Sequence, residues 1–437
     1  MEIVILLSFC AGLTVCVLLG RSILYALLFG LLLFFLYGKR KGFSLGELAR
    51  TALSGVRTIR KILLVFLLIG ALTAVWRASG TIPLIVCSAI TFVHPSVFYL
   101  AAFLLNCGVS VLMGTSFGTA ATTGAVCMSM SAVLGLHPAL AGGAVLSGIY
   151  FGDRWSPVST SALLVCEVTK TDLFSNLKKM FQTALLPFLL ACGVYAVLGL
   201  SIRGAAVPPD IETAFSRQFA LHWPAFLPVA AILLLSAFRV HVKWTMLASI
   251  VLAAACCVTL QKMPLLSVCR MMLLGFETSD PELAAMLNGG GVVSMAKGLA
   301  IVCISSAYSG IFHQTGLLDG TKHILSRIAC AATPFTAIAC SALVSNVIGC
   351  SQTLSILLTH QLCGDLEPDP QSLAVDLEDT SVIIAPLVPW SLACAVPLAS
   401  ISAPAVSVLA ACYLYFLPLT RLAGSFLQKA RQNAGKP

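Results

Sequence analysis

Apolar runs long enough to approach a membrane span recur from one end of this chain to the other. They lie at about 3–20, 22–38, 62–78, 82–93, 96–113, 131–151, 181–201, 223–238, 244–260, 292–311, 331–350 and 391–418. The last is long enough for two short spans or one broken span. At about 20 residues per crossing, 437 residues hold about ten to twelve crossings. Only 10% of the residues are charged and 59% are hydrophobic, whereas a soluble domain is about a quarter charged. The expected fold is therefore an all-α polytopic membrane protein, one domain over 1–437 with little room for a soluble part.

The net charge of +9 is concentrated in two places. Residues 39–61 hold Lys39, Arg40, Lys41, Arg50, Arg57, Arg60 and Lys61 against Glu47 alone. The C-terminal tail holds Arg421, Lys429, Arg431 and Lys436. The positive-inside rule places both segments in the cytoplasm; contact with acidic lipid headgroups is a second reading. Nucleic-acid binding is not expected, because no folded soluble module carries these charges. Within the basic segment, Leu45, Leu48, Leu53 and Val56 predict a short surface helix. Residues 3–20 follow Met1-Glu2, which lacks the positive charge of a signal peptide, so an uncleaved first helix is expected. The 17 cysteines form no C-x-x-C pair and mostly lie in apolar runs, as Cys107, Cys127, Cys192, Cys303 and Cys340 do. They read as small buried residues, with no metal or cofactor implied.

Two acidic stretches break the apolar pattern. One is Phe151-Gly-Asp153-Arg154-Trp155-Ser156-Pro157-Val158-Ser159-Thr160. The other is Leu377-Glu378-Asp379-Thr380, followed by Pro386-Leu387-Val388-Pro389-Trp390. A carboxylate at bilayer depth costs about 2.5–3.5 kcal/mol on insertion scales. A membrane chain that keeps several of them is expected to handle an ion or a charged solute.

The chain also repeats itself. LLIGALTAVWRASG (67–80) and CISSAYSGIFHQTG (303–316) share a pattern at an offset of 236. His94-Pro95 and Thr333-Pro334 each open an apolar run. Those runs close on Gly114-Thr115-Ser116 and on Gly349-Cys350-Ser351, a match at offset 235. An acidic stretch follows in each half. We therefore expect a first repeat over 62–202, a central connection with scaffold helices over 203–291, and a second repeat over 292–420. Repeated halves with interrupted apolar segments mark secondary transporters. Breaks at mid-membrane free carbonyls and hydroxyls that a bound ion or solute can satisfy.

Each polar cluster has a plainer reading. Gly114–Gly124, with Thr115, Ser116 and Thr119, is either an unwound segment offering oxygens to a cation or a helix contact built on Gly114 and Gly118. Asp153 follows another such pair, Gly148 and Gly152, and is an ion or proton group, a partner of the adjacent Arg154, or a solvated surface carboxylate. Ser156, Ser159, Thr160 and Ser161 after it argue against the solvated reading, because a plain loop needs no such cluster before another apolar stretch. Glu378, Asp379 and Thr380 either act on the ion or cap a surface helix, as the loop-like Asp365, Glu367, Asp369 and Asp376 suggest. Lys297 either snorkels to the interface or serves as an internal counter-charge.

With these motifs in view, the chain resembles the NhaC-type Na+/H+ antiporters of the ion-transporter superfamily. The matching stretches are GTSFGTAATTG (114–124), YFGDRWSPVS (150–159), LNGGG (287–291), SGIFHQTGLL (309–318) and LEDTSVIIAPLVPWS (377–391). The resemblance covers about residues 62–420. It implies an all-helical, inverted-repeat antiporter of the cell membrane that exchanges Na+ for H+, with organic-acid exchange, as of malate for lactate, as the alternative. It also implies that Thr115, Ser116, Asp153, Ser156 and Ser159 line the path in one half, and Gln352, Glu378 and Asp379 in the other. Thr119 and Thr380 extend these sets. The family pattern carries an acidic residue where this chain has Thr160 and another where it has Ser351, so two ligand positions are neutral here. The oligomeric state is left open, with a homodimer as one expectation. An intramembrane aspartyl protease and a channel are the competing classes. The protease motif Gly-x-Gly-Asp lacks its first glycine at Tyr150, and a channel ordinarily needs oligomeric symmetry rather than repeated halves.

Overall fold

The structure, a computed structural model, describes residues 22–434 except 59, 91–93, 203–210, 239, 241, 279, 281–282, 285–286, 316–326 and 330. It also describes residues 5, 8, 9, 11, 12, 15 and 16. Most of the apolar run 3–20, the first part of the central connection and the end of SGIFHQTGLL lie outside the described residues.

The fold is all-α, as the apolar runs predict. Among the described residues the β pairing is an isolated bridge between Phe276 and Gly289. Among the described residues from Ile23 on, the helices begin with α1 (Ile23–Arg40), α2 (Leu45–Thr58), α3 (Arg60–Ala78), α4 (Thr81–Ile90), α5 (Phe98–Met113), α6 (Ser116–Thr119), α7 (Ala125–Val133), α8 (Pro138–Arg154), α9 (Thr160–Thr169) and α10 (Leu173–Leu200). Then follow α11 (Ile211–Gln218), α12 (Leu227–Ala237), α13 (Val242–Thr259), α14 (Leu265–Leu274) and α15 (Ala296–Thr315). The last five are α16 (Pro334–Gly349), α17 (Gln352–Cys363), α18 (Pro370–Leu377), α19 (Leu392–Ser400) and α20 (Cys412–Ala434).

By length and composition, Pro95–Met113 and Leu173–Leu200 can each cross a membrane. Two further pairs pass as broken spans, Leu63–Ala78 with Thr81–Ser88 bent by 64°, and Pro370–Leu387 with Leu392–Ser400 bent by 55°. The other apolar helices among the described residues are shorter, such as Thr160–Thr169 and Pro334–Val347. Helix α10 shows how a full span is built. Asp172 caps it by accepting from the Ser175 N–H at 2.9 Å, and its 28 residues reach about 42 Å at 1.5 Å each. Its large outward residues, among them Leu186, Leu189 and Leu200, are exposed, as a lipid-facing surface requires.

Several runs are more broken than the pattern alone suggests. The run 131–151 divides at Leu134–His137, where α7 stops and Pro138 opens α8. The run 391–418 becomes α19, a 3₁₀ turn over Ala405–Ala410, and the start of α20. The basic tail is largely helical, because α20 continues to Ala434.

The predicted surface helix is α2. Ser44 and Glu47 form its capping box, with Ser44 N–H donating to Glu47 Oε2 at 2.8 Å and Glu47 N–H to Ser44 Oγ at 3.2 Å. Its apolar residues split between two sides: Leu48 is buried, whereas Leu45 and Leu53 are exposed. The buried side lies on α15, so close that a Cβ at Gly55 would sit 2.2 Å from the Ser306 carbonyl oxygen. Lys297 is exposed at the start of α15, which fits snorkelling and not an internal counter-charge.

Candidate ion-binding site

The two polar breaks have the same backbone. After α5 and α16, one residue takes the left-handed conformation, Gly114 at φ 62° and Cys350 at φ 52°. The next is extended, Thr115 at φ −144°, ψ 122° and Ser351 at φ −139°, ψ 127°. A new helix then begins at Ser116 and at Gln352. The helices before the breaks, Phe98–Met113 and Pro334–Gly349, also start and end 236 positions apart. This corrects the offset of 235 read from matching glycine to glycine. The left-handed position of the second half belongs to Cys350, although a Cβ there costs about 1–2 kcal/mol. Thr115 therefore corresponds to Ser351, and Ser116 to Gln352.

Asp153 stands where these breaks converge. It lies in the last turn of α8 and is 3% exposed. The polar groups set about its carboxylate are the Gln352 side chain, the backbone N–H and hydroxyl of Ser116, and the Ser159 hydroxyl. The residue that restarts the helix in each half thus stands beside the same carboxylate. Helix α8 can bury Asp153 because Gly148 and Gly152 let it lie against α5. A Cβ on Gly148 would be 2.6 Å from the Phe103 carbonyl oxygen, and one on Gly152 would be 2.3 Å from Ser110 Cβ. That glycine pair is a packing contact. Tyr150, one turn earlier, donates to the Ala393 carbonyl at 2.6 Å and fastens α8 to α19.

Past Asp153 the chain breaks again. Ser156 Oγ donates to the Val111 carbonyl at 2.7 Å and accepts from the Val158 N–H at 3.3 Å. Ser159 caps α9 by accepting from the Ser161 N–H at 3.2 Å. Thr160, one residue on, is exposed and lies outside the buried set.

The second acidic stretch is buried inside the protein. Glu378, Asp379 and Thr380 form the start of a π-helical turn, Glu378–Val382, that continues α18. They are not a surface cap. Asp369 has that role, accepting from the N–H groups of Gln371 at 3.3 Å and Ser372 at 3.1 Å. Asp376, expected in a loop, is a buried residue of α18 paired with Arg421.

Arg154 does not neutralise its neighbour Asp153. Its fully buried guanidinium pairs with Asp379 and donates to Thr183 Oγ1 at 2.8 Å and to the Met180 carbonyl at 3.1 Å. Arg421 of α20 approaches the other Asp379 oxygen at 2.9 Å. Asp379 is therefore held by two arginines from different helices, and the pairs tie α8, α18 and α20 together. Glu378 is 1% exposed, and neither of its carboxyl oxygens has a hydrogen-bond partner among the described residues. Its charged neighbours are Arg154, Asp153 and Asp379.

The structure thus brings together Ser116, Asp153, Ser159 and Gln352, with Glu378 in electrostatic range. Thr119 and Thr380 donate to the carbonyls of Thr115, at 3.0 Å, and Asp376, at 2.6 Å. Among the described residues, Thr115 Oγ1 is buried without a partner and Ser351 makes no side-chain capping bond. By sequence alone Arg421 belongs to the basic tail. The signal for its role is its place directly after the apolar run 412–420 and before Leu422. It lines an open pocket of about 450 Å³ with Thr333, Glu367, Asp376, Ser425 and Lys429. Chemically, one carboxylate set among hydroxyls and an amide, beside a second without donors, can take up and release a proton or a small cation.

The Na+/H+ antiporter family matches residues 148–423, which include both acidic stretches. Among individual proteins, the chain is 27% identical over 370 residues to the malate-2H+/Na+-lactate antiporter of Bacillus subtilis, covering 82% of this chain and 78% of that one. It is 28% identical over 348 residues to an uncharacterised Na+/H+ antiporter of Haemophilus influenzae, covering 76% and 74%. It is 26% identical over 400 residues to the Na+/H+ antiporter NhaC of Alkalihalophilus pseudofirmus, covering 89% and 86%.

Proposed function

This chain belongs to the Na+/H+ antiporter family, and from that premise we propose that it is a secondary antiporter exchanging Na+ for H+ across the cell membrane. The observation that carries the reading is that Ser116 and Gln352, which restart the helix after the two breaks, both stand beside Asp153. In this reading 62–202 and 292–420 are two transport halves, related by inversion, that rock about the site. Asp153 takes the proton or the cation, and each displaces the other because one carboxylate cannot hold both tightly. Ser116, Ser159 and Gln352 orient it. Thr115 and Ser351 supply oxygens where the chain is unwound. Asp379 works as a fixed counter-charge between Arg154 and Arg421, an arrangement poorly suited to the paired aspartates of a protease. The basic segment 39–61 and the end of α20 face the cytoplasm.

The relative from Bacillus subtilis favours a second reading, coupled exchange of organic acids. Purified protein in proteoliposomes with an internal pH dye separates the two. External Na+ should raise internal pH, and K+ should not. A response only to external carboxylic acids, with partner acid preloaded and protein-free vesicles as blank, supports the second reading. Silence toward both sinks both.

A further inference from the structure

The second half holds buried oxygens that the Asp153 cluster does not use. Both carboxyl oxygens of Glu378, Oγ of Ser381, Oδ1 of Asn346, Oγ of Ser345 and Oγ1 of Thr359 are buried without a hydrogen-bond partner among the described residues. Each of these residues is at most 1% exposed. Buried polar side-chain atoms are paired in the large majority of cases, so five such residues in one region point to something that pairs them together.

They come from three packed elements, α16, α17 and the π-helical turn. Asn346 Nδ2 donates to the Ser381 carbonyl at 3.1 Å, which sets Asn346 one turn from Glu378. Gln352 Nε2 donates to the Val382 carbonyl at 3.2 Å and brings the start of α17 to the same turn. Farther along α17, Ser355 Oγ reaches the Ala342 carbonyl at 3.5 Å, and Cys363 Sγ reaches the Ala337 carbonyl at 3.8 Å. Thr359 lies midway between Ser355 and Cys363, one helical turn from each, and so faces α16 beside them. Ser345 sits next to Asn346 on the buried side of α16. The set is one carboxylate with neutral hydroxyl and amide oxygens, and it carries no soft ligand. Such sets suit hard cations. A single negative charge matches a monovalent ion, since the nearby Arg154 and Asp379 already pair with each other.

We propose that Glu378, Asn346, Ser345, Ser381 and Thr359 form a second, monovalent-cation site of Na+ size, separate from Asp153. The proposal deepens the exchange reading and takes the identity of the ion from it. Na+ would then have a second station on its way to or from Asp153, coupled to it through the charge of Asp153 on Glu378.

Binding and transport are measured separately. The full chain, purified in detergent, is titrated with NaCl against choline chloride while its thermal stability is followed. Loss of one ligand by Ser345→Ala or Asn346→Ala should raise the half-saturating Na+ concentration about tenfold. Asn346→Asp adds an anionic oxygen and should lower it. Monodisperse gel filtration certifies each variant, and Ser345→Ala with Asn346→Asp decides the matter if Asn346→Ala does not fold. Unchanged half-saturation in folded variants overturns the proposal, as does absence of Na+ protection in the wild type. Protection that shifts as described, in a protein that moves no Na+ in vesicles, upholds the site and removes the exchange reading instead.

Discussion

Arg154→Gln tests how the two halves are tied together. In the wild type the Arg154 guanidinium is fully buried, pairs with an equally buried Asp379, and donates to Thr183 and to the Met180 carbonyl. Removing one partner of a buried ion pair costs about 3–5 kcal/mol, because the other charge is left behind. Arg421 remains near Asp379, so the lower end, about 3 kcal/mol, is expected. With melting shifts of about 1–2 °C per kcal/mol, extended from shorter chains, the apparent melting temperature should fall by about 3–6 °C. Asp379→Asn alone leaves Arg154 without its anion and should cost as much. The double variant, Arg154→Gln with Asp379→Asn, replaces charges by neutral amides on both sides and should recover most of the loss. The assay is thermal challenge in detergent followed by fluorescence-detected gel filtration. A double variant no more stable than the worse single one would refute the claim that these charges pair.

Three further outcomes follow from the same geometry. Cysteines placed at Ser44 and Ala434, in a background lacking other reactive thiols, should resist an impermeant maleimide applied to intact cells and react after permeabilisation; labelling from outside contradicts the cytoplasmic assignment. Gly152→Val should sharply lower the yield of folded protein, because a Cβ there would meet Ser110 at 2.3 Å, and a normal yield would mean α5 and α8 are not so close. Thr160→Asp should leave the half-saturating Na+ concentration of exchange unchanged, because Thr160 is exposed; a severalfold decrease would bring that side chain back into the site.

Much of this was legible in the chain. Carboxylates in apolar surroundings, each next to a proline break, pointed to Asp153 and to Glu378. Both halves announced their breaks through Gly114 and the Gly349-Cys350-Ser351 run. The register slipped by one because glycine is the usual left-handed residue, and here a cysteine takes that position. Partners distant in sequence were not legible. Arg154 adjoins Asp153, so local reading pairs them, yet the helix sends adjacent side chains about 100° apart and Arg154 reaches Asp379 instead. Local hydroxyl counts likewise could not separate Thr160, which faces outward, from Ser159, which is buried and caps α9. Asn346 and Ser345 look like ordinary members of an apolar run, since only the packing of α16 against α17 and the π-helical turn shows their oxygens to be unpaired among the described residues.

If Asp153 carries the exchanged ion, removing its charge alone ends exchange. Wild type and Asp153→Asn, both monodisperse, are reconstituted at equal density, and internal pH is recorded after a step of external Na+ across a range of pH. Asparagine keeps the size and hydrogen-bonding reach of the side chain but can neither take the proton nor carry the charge. Na+-driven alkalinisation is expected in the wild type, and none above the empty-vesicle rate in Asp153→Asn at any pH. Exchange by Asp153→Asn with the wild-type pH profile would contradict it and leave Asp153 as a structural residue.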